Sequence, residues 1–346
     1  MAKTDKSNDS FIQEYIPRVS RTFALTIKFL PRGLRNSVNT AYLLCRVADT
    51  LEDTPYLSSI EKSTRLLKLN DLLLCAAKGK CFDFNVISSI YESLSPSESD
   101  DYKLLSESVR LFEILDTLPV SHRKIIYKWA GEMAGGMADY SKLGGGKRIS
   151  IATLRDVEDW NRYCYYVAGT VGHMLTELFI KHYDFKNEIY RGMKKLSKSF
   201  GLGLQKVNVV KDVPDDRERG SCYLPGDILS KHCLDAVGLK EKSESAKIIP
   251  FVNEIVGLTV PHLDDAVEYT MLIPAHLKGV RMFLIVPVYL AIETLVLVKS
   301  NPVQAMTGPP LKLSRKDVTR LVGAATMRVG SNKRLMEYYL TLRNKL

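Results

Sequence analysis

The sequence predicts an all-α fold, one large helical domain around a central cavity, and three observations carry that prediction. Apolar residues recur at helical spacing from Phe11 onward, while strand-like alternation is rare. Of the 346 residues, 45% are apolar and 25% charged, the balance of a chain able to bury a large core. Two acidic stretches far apart, Arg46–Asp53 and Gln205–Asp216, each draw a narrow polar stripe along an otherwise apolar helix, as helices lining a cavity do.

In chain order, Met1–Ser10 is polar and expected to be disordered, which leaves 11–346 as the folded domain. It lacks the apolar run of a signal peptide. Pro31 separates a first helix, about 11–29, from a second, about 32–53, because proline has no N–H and disfavours helix in the residue before it. Further helices are expected near 58–78, 99–116, 119–140, 152–180, 186–213, 244–256, 260–271, 274–299 and 314–344. Polar or Gly-rich breaks fall at 94–100, 143–150, 215–226 and 300–310. Met282–Val298 is a run of 17 residues interrupted by Pro287 and Glu293, which reads as a buried core helix and not a transmembrane segment. No membrane anchor is visible.

Six cysteines show no CxxC spacing, so a reduced, cytoplasmic setting is expected. The formal charge of +10 suits an anionic small substrate or a membrane surface, and reads equally as a generally solvated basic surface. Nucleic acid is set aside as a partner, since the cations are scattered and no recognition signature appears.

Tyr42, Arg46, Asp49 and Asp53 are spaced 4, 3 and 4, which lines them on one helix face amid Ala41, Leu43, Leu44, Val47, Ala48 and Leu51. Taken alone, this stretch reads equally well as an Arg46–Asp49 ion pair at a helix end. Gln205, Asn208, Asp212 and Asp216 repeat the pattern with spacings 3, 4 and 4. Carboxylates one turn apart suit shared cations, and magnesium favours a few carboxylates plus phosphate oxygens. Neither stretch contains histidine, which argues against zinc. The two stretches are therefore expected to face each other across one cavity and hold magnesium against a diphosphate, with Lys211, Arg217 and Arg219 adding charge. Between them, Tyr163–Gly172 sets three tyrosines before small residues, a pattern of close helix packing beside a cavity and, alone, more often core than catalysis. Gly144–Lys147 lacks P-loop spacing and is read as a flexible loop. Asp264–Asp265 has no matching stripe and is expected at the solvent-exposed surface.

Together these residues resemble the squalene and phytoene synthase family of head-to-head prenyl transferases, an isoprenoid synthase-type fold. The resemblance runs from Ser20-Arg21-Thr22-Phe23 through both acidic stretches and Tyr163–Gly172 to Cys222-Tyr223-Leu224-Pro225. It implies that Asp49, Asp53, Asp212 and Asp216 hold Mg2+, with Asn208 assisting, and that Ser20, Arg21, Tyr42, Arg46, Gln205 and Lys211 contact diphosphate or its ligands. It assigns proton transfer and cation stabilisation to Tyr163. Arg281–Leu295 and Lys312–Lys316 resemble the squalene branch, where the basic segment contributes to NADPH binding, here through Lys312 and Arg315. Tyr163–Gly172 and Cys222–Pro225 read more like the phytoene branch.

The implied activity is condensation of two farnesyl diphosphates to presqualene diphosphate, then NADPH-dependent reduction to squalene. The alternative is a synthase that stops at phytoene, dehydrosqualene or presqualene diphosphate without reductant. A non-catalytic relative is disfavoured because all four aspartates and Tyr163 are present. A hydrocarbon product makes peripheral membrane association compatible with the basic surface. Three departures from the family pattern stand out. Ser221 occupies the place of a family arginine, for which Arg219 or Arg217 could substitute. Pro214 sits inside the second acidic stretch, where it is expected to loosen the helix. Lys211 replaces an arginine of the squalene branch, losing the bidentate fork.

Overall fold

The computed structural model describes residues 2–20, 22–79, 83–92, 94, 99–141 and 151–346. The Gly144–Lys147 loop and Arg21 lie outside the described residues. The chain divides into two compact units, Met1–Gly145 with His173–Lys186 and Gly146–Gly172 with Asn187–Leu346. Both are helical, as the apolar periodicity requires.

The first unit is built on the helix Arg32–Asp53, which starts after Pro31 in extended conformation. It buries Leu34, Val38, Leu43, Leu44, Val47 and Leu51. The next helix, Ser59–Ala77, begins with a capping box: Ser58 Oγ accepts from Glu61 N–H, and the Glu61 carboxylate accepts from Ser58 N–H. It packs along the helix Val120–Tyr140, where Gly131 and Gly135 leave room for Leu74 and Asn70. The polar N-terminus, expected to be disordered, is corrected by the structure: a helix runs Ala2–Val19. Asn8 and Asp9 on this helix have partners from later in the chain. Arg110 donates to Asn8 Oδ1 at 2.6 Å and Arg32 to Asp9 at 3.0 Å, contacts that local sequence does not announce.

The second unit contains the one departure from all-α structure among the described residues, a two-stranded parallel pairing of Ala152–Leu154 with Ser221–Pro225. The expected helix 152–180 therefore begins later. It comprises Val157–Cys164, a π-helical turn Tyr165–Gly169 and Thr170–Tyr183, where the chain passes into the first unit. The helix Asn187–Lys211 crosses this region at backbone contact distance. A Cβ on Gly201 would lie 2.2 Å from Ala168 O, and one on Gly172 would lie 2.1 Å from Ser197 O. The small residues after the tyrosines thus serve close packing, as their composition suggested.

The two helices expected at 244–256 and 260–271 are one, Ser245–Leu272, continuous through Pro250 and Pro261. Apolar burial along Ile248, Phe251, Ile255, Leu263 and Val267 outweighs the lost backbone bonds. Lys278–Ser300 is long and apolar enough to cross a membrane, but 72% of its apolar window is buried in the unit, the pattern of a core helix. The expected helix 314–344 is two, Arg315–Arg328 and Asn332–Arg343, each capped by a serine.

Candidate active site

In the first unit, the helix Arg32–Asp53 presents Tyr42, Arg46 and Asp49 half-buried, with Asp53 exposed at its end. Arg46 grips Asp101, from the helix Asp100–Ser106, through two hydrogen bonds of 2.8 and 3.0 Å. Its distance to Asp49 is 3.8 Å. The helix-end pair that the sequence allowed is thus the weaker contact, and a carboxylate from another helix takes the guanidinium. Burial pushes the Asp49 carboxyl up to about 7, with Asp53 and Asp101 adding to the rise and Arg46 opposing it.

Tyr42 donates to Val19 O at 3.2 Å, and its ring lies 5.2 Å from that of Phe23. Burial raises the Tyr42 phenol, and a hydrogen bond with Ser20 works the other way. Ser20 also accepts the Phe23 N–H at 3.1 Å and so caps the short helix Thr22–Ile27. Ser20, Tyr42, Arg46 and Asp49 therefore form one connected neighbourhood.

In the second unit, Gln205, Asn208 and Lys211 sit on the helix Asn187–Lys211, which stops at Asp212. Asp212 has φ −98° and ψ 9°, and a short helix Val213–Glu218 follows with Pro214 in its first turn. The break matches the missing proline donor, yet Asp216 N–H still bonds Asp212 O at 2.9 Å, so the two aspartates remain one turn apart. Asp212 is half-buried and its carboxyl is raised by burial against the pull of Lys211, 3.3 Å away. Lys211 also reaches Asn208 Oδ1 at 3.4 Å. Asp216 is buried and bonded to Arg219 at 2.5 Å, while Asp215 points to solvent. Arg219 is thus engaged with an aspartate of its own motif. Arg217 differs: its buried Nη1 has no hydrogen-bond partner among the described residues, and burial lowers its pKa. Ser221 opens the strand that carries Tyr223.

Tyr163 is buried, and its ring stacks on Tyr223 with centroids 4.4 Å apart and planes 4° from parallel. The two segments are joined by the β pairing, which places the strand beside the helix Val157–Cys164. Lys312 and Arg315 are exposed at the start of the helix Arg315–Arg328, whose cap is Ser314.

One expectation needs amending. Asp264 and Asp265 are half-buried and bonded, with the Asp264 side chain still 36% exposed. Tyr339 and Arg343 donate to Asp264 at 2.8 and 3.1 Å, and Ser199 donates to Asp265 at 2.5 Å. The signal was a second pair of matched stripes: Ser199, Gly203 and Lys206 are spaced 4 and 3, as are Leu258, His262 and Asp265. Asp101 was also missed, and nothing in its local sequence marks it as the partner of Arg46.

The fold and the aspartate pairs define the class: an all-α protein of the isoprenoid synthase type. A solved structure of TcSQS with the ligand BPH1237 superposes with a TM-score of 0.79 over 97% of this chain and 91% of that one, at 24% identity, a likeness of fold. The squalene synthase of Cyberlindnera jadinii is 31% identical over 84% of this chain and 61% of its own length. That of Schizosaccharomyces pombe is 30% identical over 84% of this chain and 59% of its own. The chain thus spans about three-fifths of the length of these relatives. Residues 16–319 match the squalene/phytoene synthase family model, and the chain belongs to that family.

Proposed function

We propose that the protein condenses two farnesyl diphosphates head to head into presqualene diphosphate and reduces that intermediate to squalene with NADPH. The observation that carries this reading is the pair of aspartate ladders, each set on a largely apolar helix beside basic side chains, within a family match spanning residues 16–319. The two squalene synthases similar to the chain support the same product.

The residues suit magnesium. Asp49 and Asp212 both have carboxyls raised by burial, so each is under-neutralised by its protein neighbours. Each ladder offers two carboxylates one turn apart, and a cation held there would be completed by substrate phosphate oxygens. Asp49 and Asp53, and Asp212 and Asp216 with Asn208, would hold the metal; when bound it neutralises the departing diphosphate.

Ser20, Arg21, Tyr42, Arg46, Gln205 and Lys211 bind and orient diphosphate, and Arg219 holds Asp216 in place. One farnesyl diphosphate loses its diphosphate to leave an allylic cation. The double bond of the other attacks it, and loss of a proton closes the cyclopropane. Tyr163 moves that proton at its phenol oxygen and stabilises the cation with its ring. The apolar helix faces exclude water from the cation. Lys312 and Arg315, exposed cations beside a helix start, would hold NADPH, which would supply the hydride for the second half-reaction. Peripheral attachment to a membrane would give the hydrocarbon product an exit, the exposed cations favouring anionic lipid.

The test is product analysis. Purified protein is incubated with magnesium and farnesyl or geranylgeranyl diphosphate, with and without NADPH, and extracts are analysed by mass spectrometry. Squalene that appears only with NADPH is the expected result. A C40 product, or the same C30 product regardless of reductant, would overturn the proposal.

A further inference from the structure

Behind the second aspartate ladder, the unit buries a chain of polar groups that the reaction above does not use. Lys206 is 1% exposed, on the helix face that points away from solvent. Its ammonium lies 3.1 Å from His262 Nε2, 3.4 Å from Leu258 O and 4.3 Å from the ring centre of Trp160. His262 Nδ1 is 2.7 Å from Ser199 Oγ, which donates to Asp265 Oδ2 at 2.5 Å. These contacts fix the ring's proton. Since the serine hydroxyl gives its hydrogen to the carboxylate, its oxygen accepts from Nδ1–H, and Nε2 is left to accept from Lys206. Burial and the adjacent ammonium keep the ring neutral, pushing it down to about 4.

Three elements meet at this one ammonium. Lys206 belongs to the helix Asn187–Lys211, next to Gln205 and two residues before Asn208. Leu258 and His262 belong to Ser245–Leu272. Trp160 stands one turn before Tyr163 on Val157–Cys164. Gly203 lets the two long helices close. A Cβ there would lie 3.0 Å from Leu263 Cδ2 and 3.1 Å from the His262 carbonyl. Structural packing alone would be met by an apolar side chain. A desolvated cation on an aromatic face is instead directional, since it holds a ring and an acceptor at set distances.

We propose that Lys206 is a positioning residue for the prenyl coupling. It clamps the helix of Tyr163 to the helix of the second aspartate ladder through Trp160, with His262, Ser199 and Asp265 holding its ammonium in place. The proposal rests on the functional reading above. Loss of the clamp lets Tyr163 shift relative to the bound substrates while leaving the diphosphate ligands on their own helix. The effect therefore falls on kcat and not on KM.

The experiment uses the full chain in a Trp129→Phe background, where Trp160 is the sole tryptophan. Lys206→Met keeps the stem and removes the ammonium. The expected result is retained helical circular dichroism, a moved Trp160 emission maximum, and kcat for presqualene diphosphate lowered about 10–100-fold, as a displacement near 1 Å produces. KM for farnesyl diphosphate should stay within about threefold. A folded Lys206→Met protein with kcat within about twofold of its parent, or with the loss in KM alone, overturns the proposal. Should that variant not fold, His262→Phe removes the acceptor instead, and an unchanged kcat there overturns it equally. If the parent protein makes no C30 product, the functional reading fails. The clamp is then decided by Trp160 emission, where an unmoved maximum in Lys206→Met refutes it.

Discussion

Replacing Gly201 by alanine tests a close helix crossing in the second unit. The added Cβ would fall 2.2 Å from Ala168 O, 2.5 Å from its carbonyl carbon and 2.7 Å from Gly169 N. All three are backbone atoms, so no side chain can rotate away, and the helices must separate by roughly 1 Å to restore contact distance. Overpacking of this kind costs about 1–3 kcal/mol, and a backbone–backbone clash belongs at the upper end. At ~2–4 °C per kcal/mol, Tm should fall by about 6–12 °C. Activity should fall further than stability alone explains, because Ala168 and Gly169 lie in the turn that follows Tyr163. Gly257→Ala is the control. It sits inside the helix Ser245–Leu272 and, among the described residues, nothing beyond its chain neighbours and its own helix backbone lies within 4 Å of its Cβ position, so alanine there should be neutral or stabilising by about 0.5–1 kcal/mol. Differential scanning fluorimetry and product formation measure both. A Gly201→Ala protein that melts and turns over like Gly257→Ala would refute the reasoning.

Three further outcomes are expected. Asp49→Asn and Asp212→Asn, each assayed with magnesium and farnesyl diphosphate, should lose turnover by at least about 100-fold; near-parental rates would remove these residues from the metal assignment. Tyr163→Phe keeps the stack on Tyr223 but lacks the phenol, and should fail to accumulate the cyclopropyl intermediate; normal yields by mass spectrometry would exclude proton transfer at this oxygen. His262 gives a pH dependence of stability. Its pKa is about 4 in the fold against an ordinary value of about 6.5, so between these values the unfolded chain binds more protons and stability falls as pH falls. With the ring partly in contact with solvent, about 1–2 kcal/mol is expected to be lost between pH 7.5 and 4. His262→Gln should lack that share in urea titrations, and an identical pH slope would contradict it.

The first aspartate ladder was legible because its information is local: spacings of 4, 3 and 4 on an apolar helix survive into the structure unchanged. The second was legible in its residues and only partly in its shape, since Pro214 announces a break but not that Asp216 would stay bonded to Asp212. What could not be read locally was partnership over distance. Asp101 lies 55 residues from Arg46, and His262 lies 56 from Lys206. Pairs of this kind are fixed by helix packing, which single-helix periodicity does not encode. The same limit hid the N-terminal helix, whose polar residues find Arg32 and Arg110 only once the chain is folded. The break expected between 256 and 260 is absent, because the burial gained by a continuous Ser245–Leu272 helix outweighs the local penalty of Pro250 and Pro261.

The π-helical turn Tyr165–Gly169, where Thr170 N–H reaches back to Tyr165 O, amounts to one surplus residue spliced into an otherwise regular rod. Excising any one residue of that turn would restore ordinary winding and rotate everything before it by about 100° relative to everything after it. Tyr163 and Trp160 would swing off the Asn187–Lys211 helix while His173–Tyr183 kept its seat. The aim of the tyrosine is therefore recorded in a count of residues as much as in their identity, and a single-codon deletion there should be more damaging than most substitutions.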